Sequence, residues 1–188
     1  MIPHIAAKAL DLFTSGAFRP SLALPVLRVF PCAQWWEATD GHALIRIALD
    51  KRFRDDLPPG IYTPAEPELW RRYAGTPEKW RAPDISPGPL VPARDWPNTD
   101  FVWPPVHEAA APSTGLAREQ VARLVALSRL LGPRKDACLA VALGKDALGA
   151  GWWRPNVKSE HNILHCEVVV MPMRIDGDSL RRTTWDPK

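Results

Sequence analysis

Disulfide chemistry has little to work with in this chain, whose 188 residues include only three cysteines, Cys32, Cys138 and Cys166, with no C-x-x-C spacing. An odd number without that spacing argues against both a disulfide framework and a thiolate zinc site, so the three are read as reduced, cytoplasmic and mostly packed. No apolar run approaches the roughly 20 residues of a membrane span. The opening MIPHIAAKALDLF has neither a basic n-region nor a continuous apolar stretch, so neither export nor a membrane partner is expected. An excess of one charge is also missing. Lysine and arginine number 24 against 21 acidic residues, for a formal charge of +3, and both signs are mixed along the chain. Charge alone therefore does not announce a nucleic-acid partner. What is present is 46% hydrophobic and 24% charged residues, enough to bury a core in one domain or a two-lobed unit. The 21 prolines and nine tryptophans are the compositional excess.

Apolar Ile5, Ala9, Leu12 and Phe13 recur at helical spacing, with Pro3 near the start and Gly16 placed as a stop. Three β-rich segments follow, LALPVLRVF, AQWWEAT and HALIRIAL, broken by Pro-Cys and by Asp40-Gly41, the strongest tight-turn signal in the chain. IYTP then precedes AEPELWRRYAG, whose early glutamates, late arginines and closing Gly75 predict a short helix. The proline-dense stretch from Thr76 to Ser113 reads as an ordered connector, because its tryptophans are too apolar for a disordered linker. TGLAREQVARLVALSRLLG is the clearest helix, with Leu116, Val121, Leu124, Leu127 and Leu131 on one side. Strand-like ACLAVAL, ALGAGWW and HCEVVVMPMRI complete the chain before a peripheral tail. The expected division is one domain over 1–175, made of a first half 1–75, a connector 76–113 and a second half 114–175, followed by the tail 176–188.

Several residue groups invite chemistry. Asp40 and His42, with Thr39 beside them, suit an acid-base pair of a small hydrolase, yet no glycine-rich elbow, second carboxylate or oxyanion motif accompanies them. The competing reading is a strand-to-strand turn in which Asp40 accepts local amides and Gly41 takes positive φ. His161 and His165 beside Cys166 would suit zinc on a helix, but on a strand they stand ~13 Å apart, so no metal is expected. On the long helix Arg118, Ala122, Val125 and Arg129 lie opposite the leucines, either as a basic stripe or as an ordinary solvated face. Lys8, Arg19, Arg134 and Lys135 are positioned to extend it. The Met171-Pro172-Met173-Arg174 segment either ends a core strand or offers an adaptable apolar surface for peptides.

Three segments in order resemble the bacterial DNA polymerase sliding clamp family. LRVF through WEATDGHAL is similar to the clamp stretch in which a strand leads into A-T-D-G-H-R-L, with Ala43 standing where the family has arginine. Trp96-Pro97-Asn98 matches the family's F-P-D-Y or F-P-N-L connector, and VVVMPMRI resembles its final strand V-V-M-P-M-R-L. A clamp chain carries three domains and this chain has room for one, its first half resembling the middle domain and its end the last. The resemblance implies an α+β DNA-clamp domain, two helices packed on curved antiparallel sheets with pseudo-twofold symmetry. It further implies a non-enzymatic protein of replication or repair without cofactors. Such a protein binds double-stranded DNA non-specifically through ring assembly as a homo-oligomer, captures clamp-binding peptides of polymerase or repair proteins, or does both. Residues matching Thr39, Gly41, His42, Leu44, Met171, Pro172 and Met173 line the family's peptide pocket, and Arg118, Arg129, Lys8, Arg134 and Lys135 would face DNA. The alternative is a clamp-fold module outside any ring, acting as a decoy or regulator of replication proteins and encoded by a phage or mobile element.

Overall fold

The computed structural model describes residues 2–14, 22–77, 86–99, 118–132, 139–142, 151–155 and 157–170, with positions 118, 139–142, 151–154 and 159 described by backbone alone. Helix α1 spans His4–Thr14, and β1 (Val26–Val29), β2 (Gln34–Thr39), β3 (Ala43–Leu49) and β4 (Gly60–Pro64) follow it. Helix α2 spans Pro67–Gly75 and strand β5 Leu90–Pro92. Helix α3 (Arg118–Leu131) then leads into β6 (Leu139–Ala142), β7 (Gly151–Pro155) and β8 (Ile163–Val170). Every strand pairing described is antiparallel, in one eight-stranded sheet ordered β5-β4-β1-β2-β3-β8-β7-β6. The fold is thus α+β. A helix followed by a three-strand meander occurs twice, α1-β1-β2-β3 and α3-β6-β7-β8, and the third strands of the two meanders pair with each other.

Alternation of side chains along the strands decides which face meets the helices. Leu27, Val29, Trp36, Ala38, Ile45, Ile47, Cys166, Val168 and Val170 form one buried set, packed with Leu10 and Phe13 of α1 and Leu124, Leu127 and Leu131 of α3. Helix α1 sits between α2 and α3 and against β2 and β3, which is why Ala6, Ala7 and Ala9 are all fully buried. Small side chains let backbones approach closely, which suits a helix packed on three sides. The sequence-predicted apolar face is accordingly rotated, with Ile5 and Leu12 only partly buried while Ala6 and Leu10 take the core.

Other expectations need correction. A single sheet rather than two carries the helices among the described residues, and the short helix expected at AEPELWRRYAG, α2, adds Trp70, Tyr73 and Ala74 to the core. The connector contributes β5, which extends the sheet beyond β4. Val121 is 44% exposed instead of facing the core with the leucines. At 100° per residue it falls 60° from Leu124, outside the arc that holds Gln120, Leu124, Leu127, Ser128 and Leu131. His161 lies in a 3₁₀ turn, Ser159–His161, and not on the strand with His165, because Asn162 takes φ 56° and breaks the extended run. Cys32 is exposed in the β1–β2 turn, whereas Cys166 is packed and burial pushes its thiol strongly up. The helix stop at Gly16, Cys138 and the tail lie outside the described residues.

Candidate functional site

The T-D-G-H turn joins β2 to β3 and is held by its own side chains. Gly41 has φ 96°, a left-handed conformation that glycine takes without steric cost. Asp40 Oδ1 accepts the amide hydrogens of His42 at 2.8 Å and Ala43 at 2.9 Å, which is the turn reading made from sequence. The Thr39 hydroxyl donates to the Ala43 carbonyl at 2.7 Å and accepts from the Gly41 amide at 3.0 Å. Thr39 and Leu44 are buried, and Gly41 and His42 are exposed.

The remaining carboxylate oxygen of Asp40 reaches across layers. Arg123 of α3 donates to Asp40 Oδ2 at 2.6 Å, and its guanidinium stands 5.4 Å from the centroid of the Phe13 ring on α1. Burial would raise the Asp40 carboxyl, but the His42 and Ala43 amides and the Arg123 guanidinium outweigh it and hold it below the usual carboxylate range. A depressed folded value gives stability that is present above the unfolded value near 3.8 and lost as pH falls through the folded one. Asp40→Asn is therefore expected to flatten the acid limb of a thermal melting profile taken from about pH 6 to about pH 3. A limb of unchanged steepness would show that another carboxylate dominates it. Asp11, raised by burial against α2, contributes in the opposite sense and remains in both proteins.

Strand β8 brings the second motif to this turn. Its last residue, Val170, is the register partner of Ala43, and Val169 partners Leu44. Met171, Pro172 and Met173 lie outside the described residues, and the strand that precedes them in sequence ends opposite Ala43. Of the residues placed on a basic stripe, Arg129 and Ala122 are exposed on α3 together with Val121 and Val125, and Lys8 is half-buried on α1. The Arg118 side chain, Arg19, Arg134 and Lys135 fall outside the described residues.

On the opposite face of the sheet the sequence reading missed a buried charge cluster. Glu37 of β2 is fully buried and stands in register between Val26 of β1 and Arg46 of β3, with Arg46 in turn opposite Glu167 of β8. Its Oε1 accepts from Arg46 Nε at 2.8 Å and Nη2 at 2.6 Å and from Arg28 Nη1 at 3.4 Å. Its Oε2 accepts from the Thr99 hydroxyl at 2.8 Å and from Trp96 Nε1 at 3.3 Å, so beyond β5 the connector is tied to the sheet at this carboxylate as well. His165 pairs with Glu167 at 2.6 Å and meets the edge of the Trp35 ring. Among the described residues no group of three or more His, Cys, Asp or Glu is arranged to hold a metal ion, and no helix is long and apolar enough to cross a membrane.

Neither a family model nor a curated protein matches the chain. Among solved structures it is similar to the beta subunit from DNA polymerase of Streptococcus pyogenes, with TM-score 0.41 and 10% identity over 99% of this chain and 67% of that one. The beta chain of DNA polymerase III from Streptococcus pneumoniae TIGR4 aligns with TM-score 0.38 and 7% identity over 97% of this chain and 66% of that one. The chain thus spans about two thirds of the length of each. A likeness at these values assigns neither family nor function.

Proposed function

We propose that this protein is a non-enzymatic, clamp-like domain of DNA replication or repair that captures short partner peptides beside the T-D-G-H turn. The observation that carries the reading is the pairing of Ala43 with Val170, which brings the described end of β8, the residue before the M-P-M-R run in sequence, alongside the start of β3. On this reading the pocket residues are Thr39, Gly41, His42 and Leu44 together with Met171, Pro172 and Met173, as the sequence resemblance implies. The duplicated helix-meander order and the central β3–β8 pairing support the pseudo-twofold arrangement that the sequence resemblance implies. A carboxylate occupied by two amides and an arginine is poorly placed to act as a general base, which weighs against the hydrolase alternative.

An extended peptide with leucine and phenylalanine anchors would bury them against the methionines and hydrogen-bond its backbone to the rim. Met173→Ala and Leu44→Ala are each expected to weaken such a peptide by ~1–3 kcal/mol in calorimetric titration while the domain stays folded. Wild-type protein that takes up no such peptide refutes the reading. Duplex DNA binding through a homo-oligomeric ring is the second part of the proposal, supported by exposed Arg129 and small Ala122 on one face of α3. It calls for sequence-blind, steeply salt-dependent affinity that Arg118→Glu with Arg129→Glu removes. A monomer without duplex affinity at low salt leaves the module outside any ring, as a regulator of replication proteins in the cytoplasm.

A further inference from the structure

The contact between α3 and the turn bears on how the site is held. Asp40 divides its two oxygens between two tasks, one accepting the amides that shape the turn and the other accepting Arg123. The ion pair is shielded, with side-chain exposures of 15% for Arg123 and 10% for Asp40. Arg123 precedes Leu124, whose side chain anchors α3 in the core, and its guanidinium lies over the Phe13 ring of α1. The cation is therefore fixed by both helices before it meets the carboxylate. A planar guanidinium held by an aromatic face loses less freedom on bonding than a lysine would.

We propose that Arg123 is the positioning residue of the peptide-capturing turn: it locks the Asp40 carboxylate, which in turn sets the His42 and Ala43 amides and the exposed rim at Gly41 and His42. The inference rests on the peptide-capture reading above and adds that the rim is set from the helix layer, not by the hairpin alone. Arg123 touches no peptide in this scheme and acts only through Asp40. Removing the guanidinium leaves the β2–β3 pairing intact, because Thr39–Leu44 and Ala38–Ile45 still register, but frees the carboxylate to turn away from the amides.

The experiment compares wild type, Arg123→Met and Arg123→Lys in titration with the synthetic peptide carrying leucine and phenylalanine anchors, well below the melting midpoint of each. Hydrogen exchange of the His42 and Ala43 amides is followed in the same samples without peptide. Arg123→Met is expected to lose about three- to thirtyfold in affinity and to lose protection at those two amides while the β3–β8 amides stay protected. Arg123→Lys keeps the charge without the fork and is expected to fall between the two. Unchanged affinity and unchanged protection at His42 and Ala43, with only a lower midpoint, would make Arg123 a structural residue and overturn the inference. If Arg123→Met does not fold, the lysine variant and Asp40→Asn carry the same two readouts. A wild type that binds no peptide while the amide protection responds as expected refutes peptide capture but upholds the link; loss of neither refutes the link itself.

Discussion

Glu37→Ala is expected to destabilise the domain by about 3–5 kcal/mol, because it removes the anion from a buried cluster and leaves the cations in place. Arg28 is 9% exposed and Arg46 lies partly buried beside it, so both guanidinium groups would keep their desolvation cost while losing the carboxylate they share. Trp96 and Thr99 would lose their common acceptor in the same step. Denaturant unfolding should show the midpoint fall, and amide exchange should show the 86–99 segment opening ahead of the sheet. Replacing all three charges with apolar residues of similar volume, Arg28→Met, Glu37→Leu and Arg46→Met together, should cost less than Glu37→Ala alone, since the cations leave together with the carboxylate they share. Equal losses in the single and triple variants would mean that side-chain packing, and not the charge balance, holds this face.

That cluster marks the boundary of what sequence patterns reveal. Period-2 alternation and the Asp40-Gly41 signal place β1 to β3 in a meander, and capping and breaker residues place α2 and α3, because these signals act within a few residues of one another. Nothing local in the tryptophan-flanked strand marks Glu37 as buried, and one of the groups that enclose it, Thr99, lies 62 residues away. Arg123 is 83 residues from Asp40, and nothing local distinguishes it from the other arginines of its helix. The turn half of the site was therefore legible and its anchor was not. Strand β5 was hidden for another reason. Prolines argue against strands because they cannot donate, yet at this edge Pro89 serves as an acceptor, taking the Ala65 amide at 2.8 Å, while Ala93 donates to the Ile61 carbonyl at 2.8 Å. His161 shows the converse error, in which alternation continued on paper past Asn162 although the backbone reverses hand there.

Trp70→Ala should produce a loss of similar size through packing alone, and it separates global stability from the site. Trp70 of α2 is fully buried and stacks on Trp36 of β2 with ring centroids 5.8 Å apart and planes 22° from parallel. Truncating a buried aromatic to alanine costs about 3–5 kcal/mol, of which the stacked pair supplies about 0.5–1.5 kcal/mol beyond area. Helix α2 has nine residues, too few to persist without tertiary support. Its other anchor, the Tyr73 hydroxyl donating to the Ile2 carbonyl at 2.7 Å, should loosen with it, so the N-terminal end of α1 becomes labile. The T-D-G-H turn is tied instead to α3 through Arg123, on the other side of α1. Trp70→Ala is thus expected to lower the melting midpoint strongly yet leave peptide affinity at low temperature within about twofold of wild type, the reverse of Arg123→Met. Calorimetric titration of both variants with the same peptide, paired with thermal melts, makes the comparison. If Trp70→Ala loses affinity as steeply while still folded, the rim depends on the packing of the whole helix layer, and a local tie through Asp40 is not enough to hold it.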